Sequence, residues 1–483
     1  MNIIFKLIKY LLACITMFFE QNRKRQKSLK IIDKEENYEK WLELVKEHDQ
    51  QDYIQQWLQK EESNLYQYKY IKSLSQKLRM AKQDKNIPLI CQLLRQNANR
   101  NIGNILNPKL YSHAFMKTKN LIEEFQEEYE NCLEFLYNSE FPNKIQFFQE
   151  LQKAIGQTAL LFSGGAIMGL YSCGIANILD KLHLLPKVMT GSSAGAILVS
   201  LVGTATDIQT IFQPKYYDYS MFEQKTQFDI LDKISRLLTK GYMLEKEQMQ
   251  QFLQKAYGDV TFLEAYKKTG KIMNIMVTGK DCSSSDCLLN YITSPNVIVW
   301  SAVCCSCSLP GVYGASHLYY KNEQGEIYEG EIKYVDGSIS ADLPMQQLAE
   351  QFNINYTIVS QTNPWVFPFL TSHRSDHTII KKITDKLLQF ILGEIKYRIQ
   401  QIISIGFLPK MLCRMSNLLI QKYEGNITIW PKFLWLDYSK LLDNPDEFTV
   451  QRMKVEGQRR TYEKLHFIYA ATRLERCLSK YLN

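Results

Sequence analysis

Between residues 35 and 141, apolar side chains recur at steps of three and four among charged residues and glutamines. Trp41, Leu42, Leu44 and Val45 do so, and then Tyr53, Ile54, Trp57 and Leu58. That spacing lines one face of an α-helix, so the stretch predicts a series of amphipathic helices. Asn101-Ile-Gly-Asn-Ile-Leu-Asn-Pro108 interrupts them with turn-forming residues. No self-evident catalytic group lies here, and residues 31–150 are expected to form a helical accessory domain.

The pattern changes at Thr158. Residues 158–162 form a short apolar run, ended by Ser163-Gly164-Gly165 and followed by helical spacing through Leu170, Cys173, Ile178, Leu179 and Leu182. Residues 187–190 read as a second strand, broken by Gly191-Ser-Ser-Ala-Gly195 and followed by an Ala/Leu/Val helix. Residues 271–278, 332–335 and 355–360 add further buried strands. Strands alternating with helices predict an α/β fold over residues 155–370, with a mostly parallel central sheet covered on both faces. Helices return over residues 371–483, where Ile383, Leu387, Ile391, Ile395, Ile399 and Ile403 recur every four residues, with Lys382, Lys386, Lys396 and Arg398 on other sides. Packing of this stripe against the sheet is the expected outcome, and membrane binding is the alternative.

Composition narrows the class. Of 483 residues, 45% are hydrophobic and 22% charged, which excludes a fibrous, collagen-like or wholly disordered chain. The net charge of +8 is uneven: Lys6, Lys9, Arg23, Lys24, Arg25, Lys27 and Lys30 face only Glu20 in the first thirty residues. Beside them lies an apolar run at 10–19, shorter than the ~20 residues of a comfortable span. Arg23-Lys24-Arg25 stands where a signal peptide would carry small residues. Residues 1–30 are therefore expected to be an uncleaved anchor or interfacial helix on a cytosol-facing membrane (endoplasmic reticulum) or lipid droplet. A helix covering the protein's own core is the plainer alternative. Nucleic acid is not an expected partner, since no zinc, recognition-helix or RNA-binding signature accompanies the charge. The eleven cysteines are scattered, and the C-x-x-C of Cys304-Cys305-Ser306-Cys307 lacks a completing pair, so reduced thiols and no metal are expected.

Three segments carry candidate chemistry. Gly191-x-Ser193-x-Gly195 matches the nucleophile elbow, a sharp strand-to-helix turn that lifts a serine Oγ above a sheet over a helix N-terminus. Its neighbour Ser192 lacks the symmetric glycine spacing. Ser163-Gly-Gly-Ala-Ile-Met-Gly169 also joins a strand to a helix, and backbone N–H groups clustered there can donate to a developing oxyanion. The same shape suits a phosphate, but neither G-x-x-x-x-G-K-[ST] nor G-x-G-x-x-G is present. Asp336 ends an apolar strand in Tyr334-Val-Asp-Gly-Ser338 and can take a proton from Ser193 if folding brings the two together, although Asp-Gly is by itself more often a turn. A Ser-Asp-His order would draw on His373, His377 or His466, none of which sits in a Gly-rich turn after a strand.

At these residues the sequence resembles the patatin-like phospholipase family, in its branch of yeast- and plant-type triacylglycerol lipases. The carrying segments are Leu161-Phe-Ser-Gly-Gly-Ala-Ile-Met-Gly-Leu-Tyr171, Thr190-Gly-Ser-Ser-Ala-Gly-Ala196, Ile298-Val-Trp-Ser-Ala-Val-Cys-Cys-Ser-Cys-Ser-Leu-Pro-Gly311, Tyr334-Val-Asp-Gly-Ser-Ile-Ser-Ala-Asp-Leu-Pro-Met345 and Asn363-Pro-Trp-Val-Phe-Pro368. Asn104-Ile-Leu-Asn-Pro-Lys-Leu-Tyr111 is similar to the helical domain that precedes the lipase domain in that branch, so the likeness covers about residues 35–440. It implies a three-layer α/β sandwich and a Ser-Asp dyad without histidine. Ser193 maps to the nucleophile, Asp336 to the proton acceptor, Gly164, Gly165 and Gly169 to the oxyanion loop, and Gly191 and Gly195 to the elbow. Three positions depart from the wider family: Ala166 for a third glycine, Met168 for Arg or Lys, and Ser338 for Gly or Ala. The first and last are similar to the triacylglycerol-lipase branch. The H-x-x-x-x-D motif linked there to lysophospholipid acylation is absent from all seven histidines. The implied activity is hydrolysis of glycerolipid acyl esters through an acyl-enzyme, triacylglycerol first, with no cofactor or metal. Phospholipase or lysophospholipase action and transacylation are the alternatives, and a catalytically silent lipid-surface scaffold is the rival from another class.

Overall fold

Short apolar strands form the centre of the structure, a computed structural model that describes residues 26–213, 229–280, 287–338, 342–364, 366, 379–405 and 423–482. The strands are β1 (Gln157–Phe162), β2 (Val188–Gly191), β3 (Tyr242–Leu244), β4 (Ile272–Gly279), β5 (Cys287–Leu289), β6 (Gly311–Tyr313), β7 (Ser316–Lys321), β8 (Ile327–Asp336), β9 (Ile354–Ser360) and β10 (Ile427–Ile429). Among the described residues the main sheet runs β10-β9-β1-β2-β4-β8-β7, with β5 also on β4, and β3 and β6 form a separate ladder. The pairs from β10 to β4 are parallel, whereas β5, β8 and β7 pair antiparallel.

Side chains of a strand alternate between faces, and β1 shows what covers each. Ala159 and Leu161 join a cluster with Leu348 and Phe352 of the helix Met345–Phe352. Leu160 and Phe162 join the larger core, which takes in the N-terminal helices and the helix Leu465–Leu482. The sheet is thus the middle of three layers, which accounts for strands apolar on both faces.

The stretch before β1 holds the helices Tyr38–Asp49, Asp52–Gln59, Tyr68–Gln83, Ile87–Gln96, Asn120–Tyr137 and Lys144–Ile155. The interruption at 101–108 holds two 3₁₀ turns, and Gly103 takes φ +56°. These helices share one continuous core with the sheet. Buried Arg100 fastens the join: it donates to Thr158 Oγ1 (2.6 Å), to the carbonyls of Gly156 and Ala471 (both 3.0 Å) and to Glu475 Oε2 (3.0 Å).

Two terminal expectations change. The apolar run at 10–19 lies outside the described residues, but 26–32 is helical and buries Leu29 and Ile32 in the core, so the C-terminal end of the predicted 1–30 segment belongs to the folded body. The four-residue stripe does form a helix, Ile379–Ser404, but the sheet does not cover it: Phe390 is 73% exposed, and Leu387, Ile391 and Ile395 are about half exposed. No helix among the described residues is long and apolar enough to cross a membrane. The described cysteines are free thiols, buried or half-buried.

Candidate active site

The order of strands reverses around β1, with β2 on one side and β9 on the other, and open α/β sheets bind ligands at such a point, beyond the carboxyl ends of the strands. Phe162 pairs with Gly191, so β1 and β2 stop together and release their two glycine turns side by side. Gly191 also pairs with Ile275 of β4, while Asp336 pairs with Val277. The register therefore delivers the end of β8 just past the end of β2.

Ser193 occupies φ +53°, ψ −121°, and the helix Ala194–Thr204 starts at the next residue. A non-glycine residue there stores about 1–3 kcal/mol of strain, which the surrounding contacts must hold. The flanking glycines are steric requirements. A Cβ on Gly191 would run into the carbonyl oxygen of Gly195, and one on Gly195 into that of Phe162. Ser306 Oγ accepts the Ser193 N–H at 3.0 Å and donates to the Met276 carbonyl at 2.8 Å, tying the turn to β4. Ser192 points inward instead: buried, it donates its hydroxyl to the Asp342 carbonyl at 2.9 Å.

Asp336 is buried, and its Oδ1 accepts the Ser338 N–H at 2.8 Å. Gly337 follows because a Cβ there would strike the Met276 carbonyl. Burial pushes the Asp336 carboxyl up to about 6, against Ser338 and the nearby Ser193 side chain, which favour the charged form. Burial holds the nearby Cys307 thiol well above the usual thiol range, so it stays neutral. Ser193 and Asp336, 143 positions apart in numbering, are side-chain neighbours.

The glycine loop lies against the same serine. A Cβ on Gly164 would stand 3.3 Å from Ser193 Cβ, and one on Gly165 would meet the Thr362 carbonyl oxygen at 2.5 Å. The Gly164 N–H donates to Asp342 Oδ1 at 2.9 Å. Ala166, standing where the wider family has glycine, takes φ +50°, the left-handed region that glycine enters without a Cβ penalty. Gly169 closes the short 3₁₀ turn Ala166–Gly169, and a Cβ there would come within 2.8 Å of Ala194 Cβ, so its smallness lets the elbow helix approach.

No described histidine partners either side chain. His317 Nδ1 lies 2.7 Å from the Gly330 carbonyl, and His466 Nε2 lies 3.1 Å from Glu123. His373 and His377 lie outside the described residues. Sequence reasoning missed Ser306 and Asp342. The second is a buried carboxyl pushed up to about 7 by burial and by the charge of Asp336. Its only advance signal was its place six positions after Asp336 in a segment already singled out.

Residues 160–349 match the model of the patatin-like phospholipases, and residues 18–153 match that of a domain of unknown function, DUF3336. Triacylglycerol lipase 4 of Saccharomyces cerevisiae is 34% identical over 89% of this chain and 50% of its own length. Triacylglycerol lipase SDP1L of Arabidopsis thaliana is 32% identical over 87% of this chain and 54% of its own length, so the chain spans about half of these two relatives. Triacylglycerol lipase ptl3 of Schizosaccharomyces pombe is 30% identical over 89% of this chain and 91% of its own. Among solved structures, VipD from Legionella pneumophila matches 64% of this chain and 67% of its own at a TM-score of 0.32 and 13% identity, too loosely to add to the family match. With a helical domain leading into an elbow serine beside a buried aspartate, and with ptl3 matched over nearly its whole length, the chain belongs to the patatin-like phospholipase family, in the branch of the yeast, fungal and plant triacylglycerol lipases.

Proposed function

We propose that this chain is a serine lipase that hydrolyses acyl esters of glycerolipids, triacylglycerol first, through a Ser193–Asp336 dyad. The observation that carries it is the Ser193 side chain lying beside a buried carboxyl that burial holds near 6, a base strong enough to take the serine proton at neutral pH. The names of the relatives supply the choice of triacylglycerol. In this reading residues 155–370 carry the chemistry, framed by the helices of 31–150 and 371–483.

Asp336 accepts the Ser193 proton as Oγ attacks the ester carbonyl, and the carbonyl oxygen becomes an oxyanion. The loop 164–169 and the N-terminus of the helix Ala194–Thr204 stabilise it. Because the Gly164 N–H is committed to Asp342 and Gly169 abuts Ala194, Gly165 is the donor assigned within the loop. Collapse breaks the ester C–O bond, and Asp336 returns the proton to the leaving glyceride oxygen. Water then gives a proton to Asp336 and attacks the acyl-enzyme, releasing the fatty acid and restoring the serine. The reaction takes place at a lipid surface, a cytosol-facing membrane or droplet, approached through residues 1–25 and the exposed apolar side chains of the helix Ile379–Ser404.

Ser193→Ala should abolish labelling by a fluorophosphonate probe and hydrolysis of triolein, phosphatidylcholine and lysophosphatidylcholine alike, while triolein is the substrate that wild type turns over fastest. Labelling that survives Ser193→Ala but disappears in Ser192→Ala would overturn the assignment.

A further inference from the structure

Three segments far apart in sequence meet at Asp342. Its Oδ1 accepts the Gly164 N–H at 2.9 Å, from the turn after β1. Its backbone carbonyl accepts the Ser192 hydroxyl at 2.9 Å, from the turn after β2. The Asn363 side chain, in the segment after β9, lies close enough to its carboxyl to favour the charged form. The residue is buried, and a Cβ on Gly164 would stand 3.6 Å from Asp342 Oδ1 and 3.3 Å from Ser193 Cβ, so the glycine sits between the carboxyl and the nucleophile.

We propose that Asp342 is a positioning residue that holds the two glycine turns at a fixed separation, and with it the place where an oxyanion formed at Ser193 finds its donors. The inference rests on the Ser193–Asp336 reading above. The two bonds act on neighbouring residues of the site from one rigid point: the side chain on Gly164, the main chain on Ser192. What the role needs is an acceptor of carboxyl shape, and charge is not part of it. A second buried negative charge beside Asp336 is costly, which is why burial and Asp336 together push this carboxyl up to about 7. An amide oxygen in the same place accepts the Gly164 N–H without that cost. With no acceptor, the N–H is left buried and unpaired, and the loop shifts to satisfy it.

The full chain carrying Asp342→Ala or Asp342→Asn tests this, with hydrolysis of triolein and of p-nitrophenyl butyrate and the rate of fluorophosphonate labelling as readouts. A displacement of about 1 Å in such a site costs ~10²-fold, so D342A should lose about that in kcat with KM nearly unchanged. D342N should recover to within about fivefold of wild type, since it keeps the acceptor. The labelling rate should fall in parallel with kcat, because phosphonylation places an anionic oxygen in the same donors. A folded D342A with kcat within about threefold of wild type, or a D342N as slow as D342A, overturns the proposal. Should D342A fail to fold, Ser192→Ala decides: a roughly tenfold fall in kcat supports the tether, and an unchanged kcat ends it. Ser193→Ala separates the two levels. Activity in S193A refutes the proposed function itself, whereas a dead S193A beside an active D342A refutes only the tether.

Discussion

Asp336→Asn should destroy activity and at the same time stabilise the fold, because the buried carboxyl proposed as the base is costly to keep charged. Burial moves it from its ordinary 3.8 to about 6. That change corresponds to roughly 3 kcal/mol, carried by the folded state whenever Asp336 is ionised. Its folded pKa is the higher one, so the folded state holds the proton more tightly than the unfolded chain. The penalty is full above about pH 6, shrinks as pH falls through that value, and is gone below about pH 4. Asparagine keeps the shape and an oxygen for the Ser338 N–H now at 2.8 Å, and it carries no charge. Removing that charge also relieves Asp342, whose carboxyl Asp336 helps to push up. Thermal unfolding of both proteins near pH 8 and near pH 4.5 should give D336N the higher Tm at the first pH, by a few degrees, and only about a third of that advantage at the second. Hydrolysis by D336N should be absent at both. In wild type, kcat/KM should fall as pH drops below about 6, since the base must be ionised. A D336N less stable than wild type near pH 8, an advantage equally large near pH 4.5, or retained hydrolysis would each refute the reasoning.

Gly165→Val should cut kcat by about 10²–10³ in a folded protein, because its Cβ has no room beside the Thr362 carbonyl; an unchanged kcat would take the loop out of the mechanism. Single alanine substitutions at His317, His373, His377 and His466 should each leave most of the esterase activity. A folded variant that loses it as completely as Ser193→Ala would replace the dyad with a triad. Deleting residues 1–25 should shift the chain from floating lipid fractions to the soluble pool, and salt washing should release the full chain only in part, since apolar insertion survives screening. The cut belongs at 25 because Leu29 and Ile32 sit in the core, and undiminished flotation would move the anchor to the helix Ile379–Ser404.

What was legible in the sequence was what depends on neighbours in the chain. Gly191, Ser193 and Gly195 declare the elbow because their steric conflicts arise within five residues of one another or with the adjoining strand β1. β1, β2 and β9 are apolar on both faces and announce themselves by composition. The antiparallel edge was harder: β8 is exposed along most of its length and buried only from Tyr334 to Asp336, so only its last residues looked like a strand. Pairing Asp336 with Ser193 needed the family resemblance, because the meeting is set by register across β4 and no local pattern encodes it. Asp342 and Ser306 were invisible for the same reason. An aspartate destined for burial reads like any turn aspartate, and a serine that accepts an N–H from another turn reads like any helix serine.

The stitch at Arg100 sets a timetable for making the protein. Thr158, at the start of β1, donates its N–H at 3.0 Å to Glu475, 317 positions further along the chain. At 5–20 residues per second a ribosome takes roughly 15–60 s to cover that distance. During that interval the chain gains the glycine loop, the elbow and then Asp336, while the carboxylate that Thr158 will bond is still to be made. Synthesis therefore yields Ser193 and Asp336 before the last helix, which shares the sheet's core, exists to close it. A premature stop inside the last helix would spare Ser193 and Asp336 and still leave a product that cannot close its core.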